Sequence, residues 1–310
     1  MPIPAALHDN LRLPAIAAPM FLVSGPELVI ETCKAGMIGT FPALNERTTE
    51  GFENWIDQIE AAREAHGAAA PYGVNLIVHK TNPRLEADLE VVCRRKVPLV
   101  ITSLGAVPDL VEKVHAYGGL VFHDVITLRH ARKAAQAGVD GLILVCAGAG
   151  GHAGTASPFA LIEEVRAFFS GTIILAGSIS TGRHIAAARM MGADFAYMGT
   201  RFIATAESRA SEAYKAMLHD AQVADIVYTD SVSGVNANFL RESLVNAGLD
   251  PLNLPPKKEM DMAGEAKAWR DIWSAGHGAA AINDIPGVGS LVARLEVEYK
   301  AAFAITTAAF

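Results

Sequence analysis

The residues of this chain best suited to chemistry sit in glycine-rich turns. From Ala147 to Thr155 the sequence reads AGAGGHAGT, so Gly148, Gly150, Gly151 and Gly154 surround a single ionisable side chain, His152. Glycines at that density let the backbone approach a flat ligand and adopt positive φ, and an imidazole changes charge near neutral pH. His152 is therefore the candidate acid or base. Two further turns, Gly177-Ser178-Ile179-Ser180 and Met198-Gly199-Thr200-Arg201, present small residues and backbone N–H groups. At the ends of neighbouring barrel strands such turns bind phosphate, aided by a helix N-terminus. A third place pairs Pro19-Met20 with Asn75 in the run GVNL. A buried amide needs donors and acceptors in return, which a heteroaromatic ring such as an isoalloxazine supplies, whereas Met20 is equally at home as packing. The fourth is Trp273–Gly278, WSAGHG, whose two glycines predict a tight turn set against another segment.

Something must hold these turns together. Eight short apolar runs recur along the first two thirds of the chain: Ala15–Met20, Ile38–Pro42, Tyr72–Val78, Leu99–Ser103, Leu120–Asp124, Gly141–Cys146, Thr172–Gly177 and Phe195–Gly199. Most are continuously apolar, as strands of a parallel sheet covered on both faces are. Between them lie helical patterns such as PELVIETCKAG, EADLEVVCRRK, PDLVEKVHAYGG, LRHARKAAQAGVD and TGRHIAAARMMGAD, several closed by a glycine suited to a left-handed cap. Eight such units predict an α/β fold of the (β/α)8 TIM-barrel type over residues 11–205, with an open doubly wound sheet as the alternative. In a barrel the working residues emerge at the C-terminal strand ends, where the first three candidate places fall.

Beyond Arg201 the rhythm fails. SRASEAYKAMLHDA reads as a helix, Ile226 to Gly234 as an ambiguous polar segment and LNLPPKKEMDM as a surface loop. Residues 206–275 are thus expected to form a small, mainly helical accessory segment. Residues 276–310 are expected to supply a last helix, Leu291–Phe303, that packs back on the barrel.

Composition narrows the partners. The 310 residues are 51% hydrophobic with a formal charge of −7, and Lys and Arg form no long run, so nucleic acid is not expected. Cys33, Cys93 and Cys146 are widely spaced with no CxxC, which predicts reduced thiols in a cytoplasmic protein and no zinc or other metal site. No apolar stretch of spanning length occurs free of Gly, Pro or charge, and a membrane is not expected. His79, His115, His130, His184 and His219 read as surface or packing residues, while His123-Asp124 ends the fifth run at the same barrel mouth. HExxH, GxSxG and Walker motifs are lacking.

APM in the first run, GVN in the third, AGGHAG after the sixth, AGS in the seventh and MGTRF at the eighth, followed by WSAGHG, together resemble the nitronate monooxygenase family, over about residues 11–290. The resemblance implies an FMN-dependent oxidoreductase that converts alkyl nitronates, with O2, to carbonyl compounds and nitrite. It also implies FMN contacts at Met20, Asn75, Gly151, Gly177, Ser178, Met198, Gly199 and Thr200, and a catalytic role for His152. This chain departs from the family at Ser178, where a second glycine is common, at Val145, where many members carry a polar flavin contact, and at Asp124, where some have lysine. The expected partners are a small acidic carbon compound and O2, with a homo-oligomer left open. Three alternatives stand beside this reading: an NAD(P)H-dependent flavin reductase of quinones or enoyl thioesters, a flavin-free barrel enzyme for phosphate ligands, and a non-catalytic FMN-binding module.

Overall fold

The computed structural model describes residues 3–79, 81–105, 108–257 and 269–308. Strands β1 (Ala15–Ala17), β2 (Ile38–Pro42), β3 (Tyr72–Ile77), β4 (Leu99–Ser103), β5 (Leu120–Val125), β6 (Gly141–Val145), β8 (Thr172–Ala176) and β9 (Phe195–Met198) form a closed parallel barrel in that order. The barrel closes by pairing β9 with β1, Ala15 opposite Ala196. All eight runs read from the sequence are strands. Several end earlier than the apolar run suggests, because Pro19, Gly177 and Gly199 already belong to the turns that leave the sheet.

Alternation along each strand sorts the core into two. Ile16, Ile38, Leu99, Ile101, Phe122, Ile143, Ile174 and Phe195 fill the barrel interior with Leu7 of α1 (Ala5–His8), while Val74, Val100, Val121, Leu142, Leu144, Ile173 and Leu175 pack outward. Their partners are α2 (Pro26–Lys34), α3 (Thr49–His66), α4 (Leu85–Arg94), α5 (Pro108–His115), α6 (Leu128–Gln136), α7 (Pro158–Arg166) and α8 (Gly182–Met190). Side chains of Thr48, Thr127 and Thr181 cap α3, α6 and α8 by accepting from backbone N–H groups of the first turn, and Gly67 ends α3 at φ 74°.

After the short α9 (Thr200–Ile203) comes α10 (Glu212–Asp220), within the stretch read as a helix. The polar segment left ambiguous supplies β10 (Ile226–Thr229), which pairs antiparallel with β11 (Ala237–Leu240), and α11 (Arg241–Asn246) follows. The remainder of the expected surface loop, residues 258–262, lies outside the described residues. The last helix, α12, spans Val288–Ala308 and so begins three residues before the expected Leu291. It lies along α8, and the Glu298 carboxylate accepts from the Gly182 N–H at 2.7 Å, at that helix's first turn. The Arg201 side chain, 1% exposed, is tied to the Asp284 carboxylate at 3.0 Å, and Arg294 holds the same carboxylate. Among the described residues no helix is long and apolar enough to cross a membrane.

Candidate active site

A cavity of about 1180 Å³ opens at the C-terminal ends of the strands. Met20, Asn75, Gly151, His152, Gly177, Ser178, Gly199 and Thr200 all line it, so residues 180 positions apart in the chain share one chamber. Met198 does not. Its side chain is fully buried between barrel and helices, because the alternation that sends Tyr197 inward sends its neighbour outward. The Met198 side chain is thus a core residue, and only its backbone lies at the strand end.

One wall is the glycine loop after β6. Gly148 and Gly151 have φ of 81° and 68°, a region that disfavours side-chain-bearing residues. The WSAGHG turn presses on this loop backbone to backbone, the His277 N–H donating to Gly148 O at 2.9 Å, while the Gly276 N–H donates to the side-chain Oγ1 of Thr200 at 3.0 Å. A Cβ on Gly276 would stand 2.7 Å from Gly150 N. The fourth sequence motif is thus the buttress of the first.

The loop's other side is held by the hairpin. Gly151–His152 forms a two-residue strand, β7, paired antiparallel with β11, His152 opposite Ala237. Asn238, buried, donates through Nδ2 to Ala149 O at 2.6 Å, and the Tyr228 hydroxyl donates to Ala153 O at 2.9 Å. The His152 ring stands edge-on to Trp269 with centroids 5.3 Å apart, and Trp269 stacks on Phe239 of β11 at 5.1 Å. Sequence reasoning missed Asn238, Tyr228 and Trp269, since nothing near them marks a partner 75 or more residues away.

The floor is polar. Asn75 Nδ2 donates to Ser103 Oγ at 2.8 Å, and Ser103 Oγ donates to Asp124 Oδ2 at 2.6 Å. Tyr197 completes the floor, and burial together with the Asp124 charge holds its phenol well above the ordinary range. Burial pushes the Asp124 carboxyl up to about 6, against the Ser103 hydrogen bond and the His152 charge, which lower it. The signal was present: each of Asn75, Ser103, Asp124 and Tyr197 lies two residues beyond an inward-facing position of its strand. His123 occupies the opposite face of β5, where its Nδ1 lies 2.7 Å from Thr102 Oγ1, and burial lowers it to about 4, so it is neutral at pH 7.

The turn after β8 leads into α8. Ser178 adopts φ 57°, a left-handed conformation that glycine would take without strain, and the Ser180 Oγ is buried with no hydrogen-bond partner among the described residues. Gly199 leaves open space where a Cβ would meet only Met20 and Ala18 at 3.7–3.8 Å. A phosphate-bearing flavin fits these features: an unsatisfied hydroxyl before an α-helix for the phosphate, and side-chain-free backbone beside Met20 for a ring.

Residues 83–298, well over half of the chain, match the family described as Nitronate monooxygenase. The nitronate monooxygenase of Paraburkholderia phytofirmans is 26% identical over 93% of this chain and 92% of its own length. An octahydro-indene-carboxyl-CoA dehydrogenase of Rhodococcus jostii is 29% identical over 77% of this chain, and the match spans 65% of that enzyme's length. Among solved structures, nitroalkane oxidase from Streptomyces ansochromogenes superposes with a TM-score of 0.83 at 25% identity, covering 97% of this chain and 100% of that one. A mutant of FabK from Thermotoga maritima gives 0.80 at 25% identity, covering 98% and 97%. With the barrel, the glycine loop and its histidine in place, the chain belongs to the nitronate monooxygenase family of flavin-dependent oxidoreductases.

Proposed function

We propose that this protein binds FMN in the barrel-mouth cavity and oxidises alkyl nitronates, and the nitroalkanes that ionise to them, to carbonyl compounds and nitrite with O2. The observation that carries the reading is the convergence of His152, on a doubly clamped glycine loop, with seven of the eight expected cofactor positions in one chamber. Its volume of about 1180 Å³ exceeds the ~300–1,000 Å³ usual for one drug-sized ligand, leaving room for cofactor and substrate together. Ser178, Ser180, Gly199 and Thr200 would take the phosphate end, with Met20, Asn75, Gly151 and Gly177 along the ring. Bound FMN would supply the redox chemistry, accepting electrons from the substrate and passing them to O2.

The chain's own residues bind, orient and move a proton. From the loop wall, His152 takes the acidic α-proton of a neutral nitroalkane and then, as an imidazolium, holds the nitro oxygens of the resulting anion. The edge contact with Trp269 and the β7–β11 pairing fix the ring, and a fixed base loses less to reorganisation than a mobile one.

The test is a pair of anaerobic cuvettes of the FMN-loaded protein, one receiving propyl nitronate and the other NADH. Bleaching by the nitronate, with nitrite released once O2 is admitted, supports the proposal. Fast bleaching by NADH alone moves the enzyme to the second reading, a flavin-dependent oxidoreductase of acyl thioesters, which the CoA dehydrogenase relative favours.

A further inference from the structure

The barrel's inner layer changes chemistry as it reaches the cavity. Below lie Ile101, Phe122 and Phe195; one step above, on the same strands and facing the same way, lie Ser103, Asp124 and Tyr197, with Asn75 beside them on β3. Hydrogen bonds run Asn75 to Ser103 to Asp124 Oδ2 and stop there. Asp124 Oδ1 and the Tyr197 hydroxyl are both buried without a hydrogen-bond partner among the described residues. A carboxylate with one neutral donor in so dry a place is costly, whereas its acid form has a proton to offer.

This inference rests on the FMN reading. Two-electron reduction with uptake of one proton leaves the flavin ring with one negative charge more than before. A carboxylate lining the same chamber then faces a new like charge, which raises its proton affinity. We propose that Asp124 is the proton store of the redox cycle, taking one proton from solvent when the bound flavin is reduced and releasing it on reoxidation. Two electrons from the donor, substrate or dithionite, enter the flavin with one proton. A second proton leaves solvent water and forms the O–H bond of the Asp124 carboxyl, so the chamber's net charge does not change. When O2 removes the two electrons, both protons return to oxygen products or solvent.

The surrounding groups suit a carboxyl that titrates within reach of neutrality. His152, on the loop after β6, favours its charged form, as does the Ser103 hydroxyl of β4, and burial opposes both, leaving it near 6. From β9 the Tyr197 phenol stays protonated, and Asn75 of β3 is uncharged. His123 is neutral and bonded to Thr102, while Glu46, Arg47, Arg84, His130, Lys133, Arg209 and Arg270 border other parts of the cavity.

The experiment is a spectroelectrochemical titration of the full-length, FMN-loaded protein with dithionite between pH 5 and 9, comparing the parent with Asp124→Asn and Ser103→Ala. Occupancy is first established by the change of the flavin bands on titrating FMN into the protein. One extra proton per two electrons corresponds to about 30 mV per pH unit, the n = 2 value for a tenfold change. The parent's potential should fall with pH more steeply than that of D124N by this amount, over a window beginning above pH 6. In S103A, which lacks the hydrogen bond favouring the carboxylate, the window should begin at higher pH. Bound FMN with parallel slopes in parent and D124N overturns the proton store and leaves the FMN reading intact. An unmoved window in S103A overturns it as well, even if D124N fails to fold. A protein that binds no FMN overturns both readings.

Discussion

Replacing Gly276 by alanine tests whether the WSAGHG turn is the buttress of the glycine loop that carries His152. The added Cβ would stand 2.7 Å from Gly150 N and 3.1 Å from the Ala149 carbonyl carbon, and closer still to Gly148 O. All three are backbone atoms, which cannot swing aside as a side-chain end does. Moving Gly150 N out to ordinary contact at 3.4 Å requires a shift of about 0.7 Å, the difference between 3.4 and 2.7 Å. Overpacking of this kind costs about 2 kcal/mol, which lowers the melting temperature by about 4 °C in a chain of this size. With His152 as the proposed base, a displacement approaching 1 Å beside it should also slow turnover by roughly one to two orders of magnitude. Gly289→Ala is the control. Nothing lies within 4 Å of its Cβ position at the start of α12, so alanine there should be neutral or stabilising by about 0.5 kcal/mol. Circular dichroism melts, FMN titration and nitrite release on both variants supply the comparison. A Gly276→Ala protein that melts within 1 °C of the parent, with unchanged FMN affinity and turnover, would refute the buttress.

His152→Asn should bind FMN as the parent does yet turn over neutral nitroalkanes about 10²–10⁴-fold more slowly, with preformed nitronates less affected; equal rates would remove the base from His152. Asn238→Ala leaves the buried Ala149 carbonyl without its 2.6 Å donor and should cost about 1–3 kcal/mol, read from the urea midpoint, which an unchanged midpoint would contradict. For FMN-free protein, the Asp124 carboxyl titrates near 6 when folded and near 3.8 when unfolded. Between those values the folded chain holds more protons, so this group makes stability fall as pH rises through the window. Asp124→Asn should therefore melt at the same temperature as the parent at pH 4 and higher at pH 8, and a parent that is the more stable at pH 8 would count against the buried charge.

How far the molecule could be read from its sequence depended on how local each determinant is. The eight strands are continuous apolar runs bounded by glycine or proline, and the helices carry their caps in place, so both were legible within a dozen residues. The glycine loop and His152 stood out for the same reason. The hairpin was not legible, because IVYT and ANFL are short and polar-flanked, and one of the two neighbours of β11 is β7, a strand of two residues that no local pattern marks. Met198 sits in the same short motif as Gly199 and Thr200, yet strand alternation turns its side chain into the core, a distinction the motif alone does not carry. The floor was half seen: Asp124 stood out at the end of the fifth run and as a departure from the family, but its partnership with Ser103 needed the register of β4 against β5, Thr102 opposite His123, to appear.

The pairing of β7 with β11 also orders events in time. The barrel can close once β9 meets β1, at residue 198, yet the strand that fixes His152 is not complete until residue 240. On a chain made from its N-terminus, the glycine loop stays without its clamp for more than forty residues after the scaffold is finished, and such distant pairings form slowly. The loop that carries His152 is thus the part of the barrel mouth that is clamped last, by a strand that lies beyond the completed scaffold in the chain.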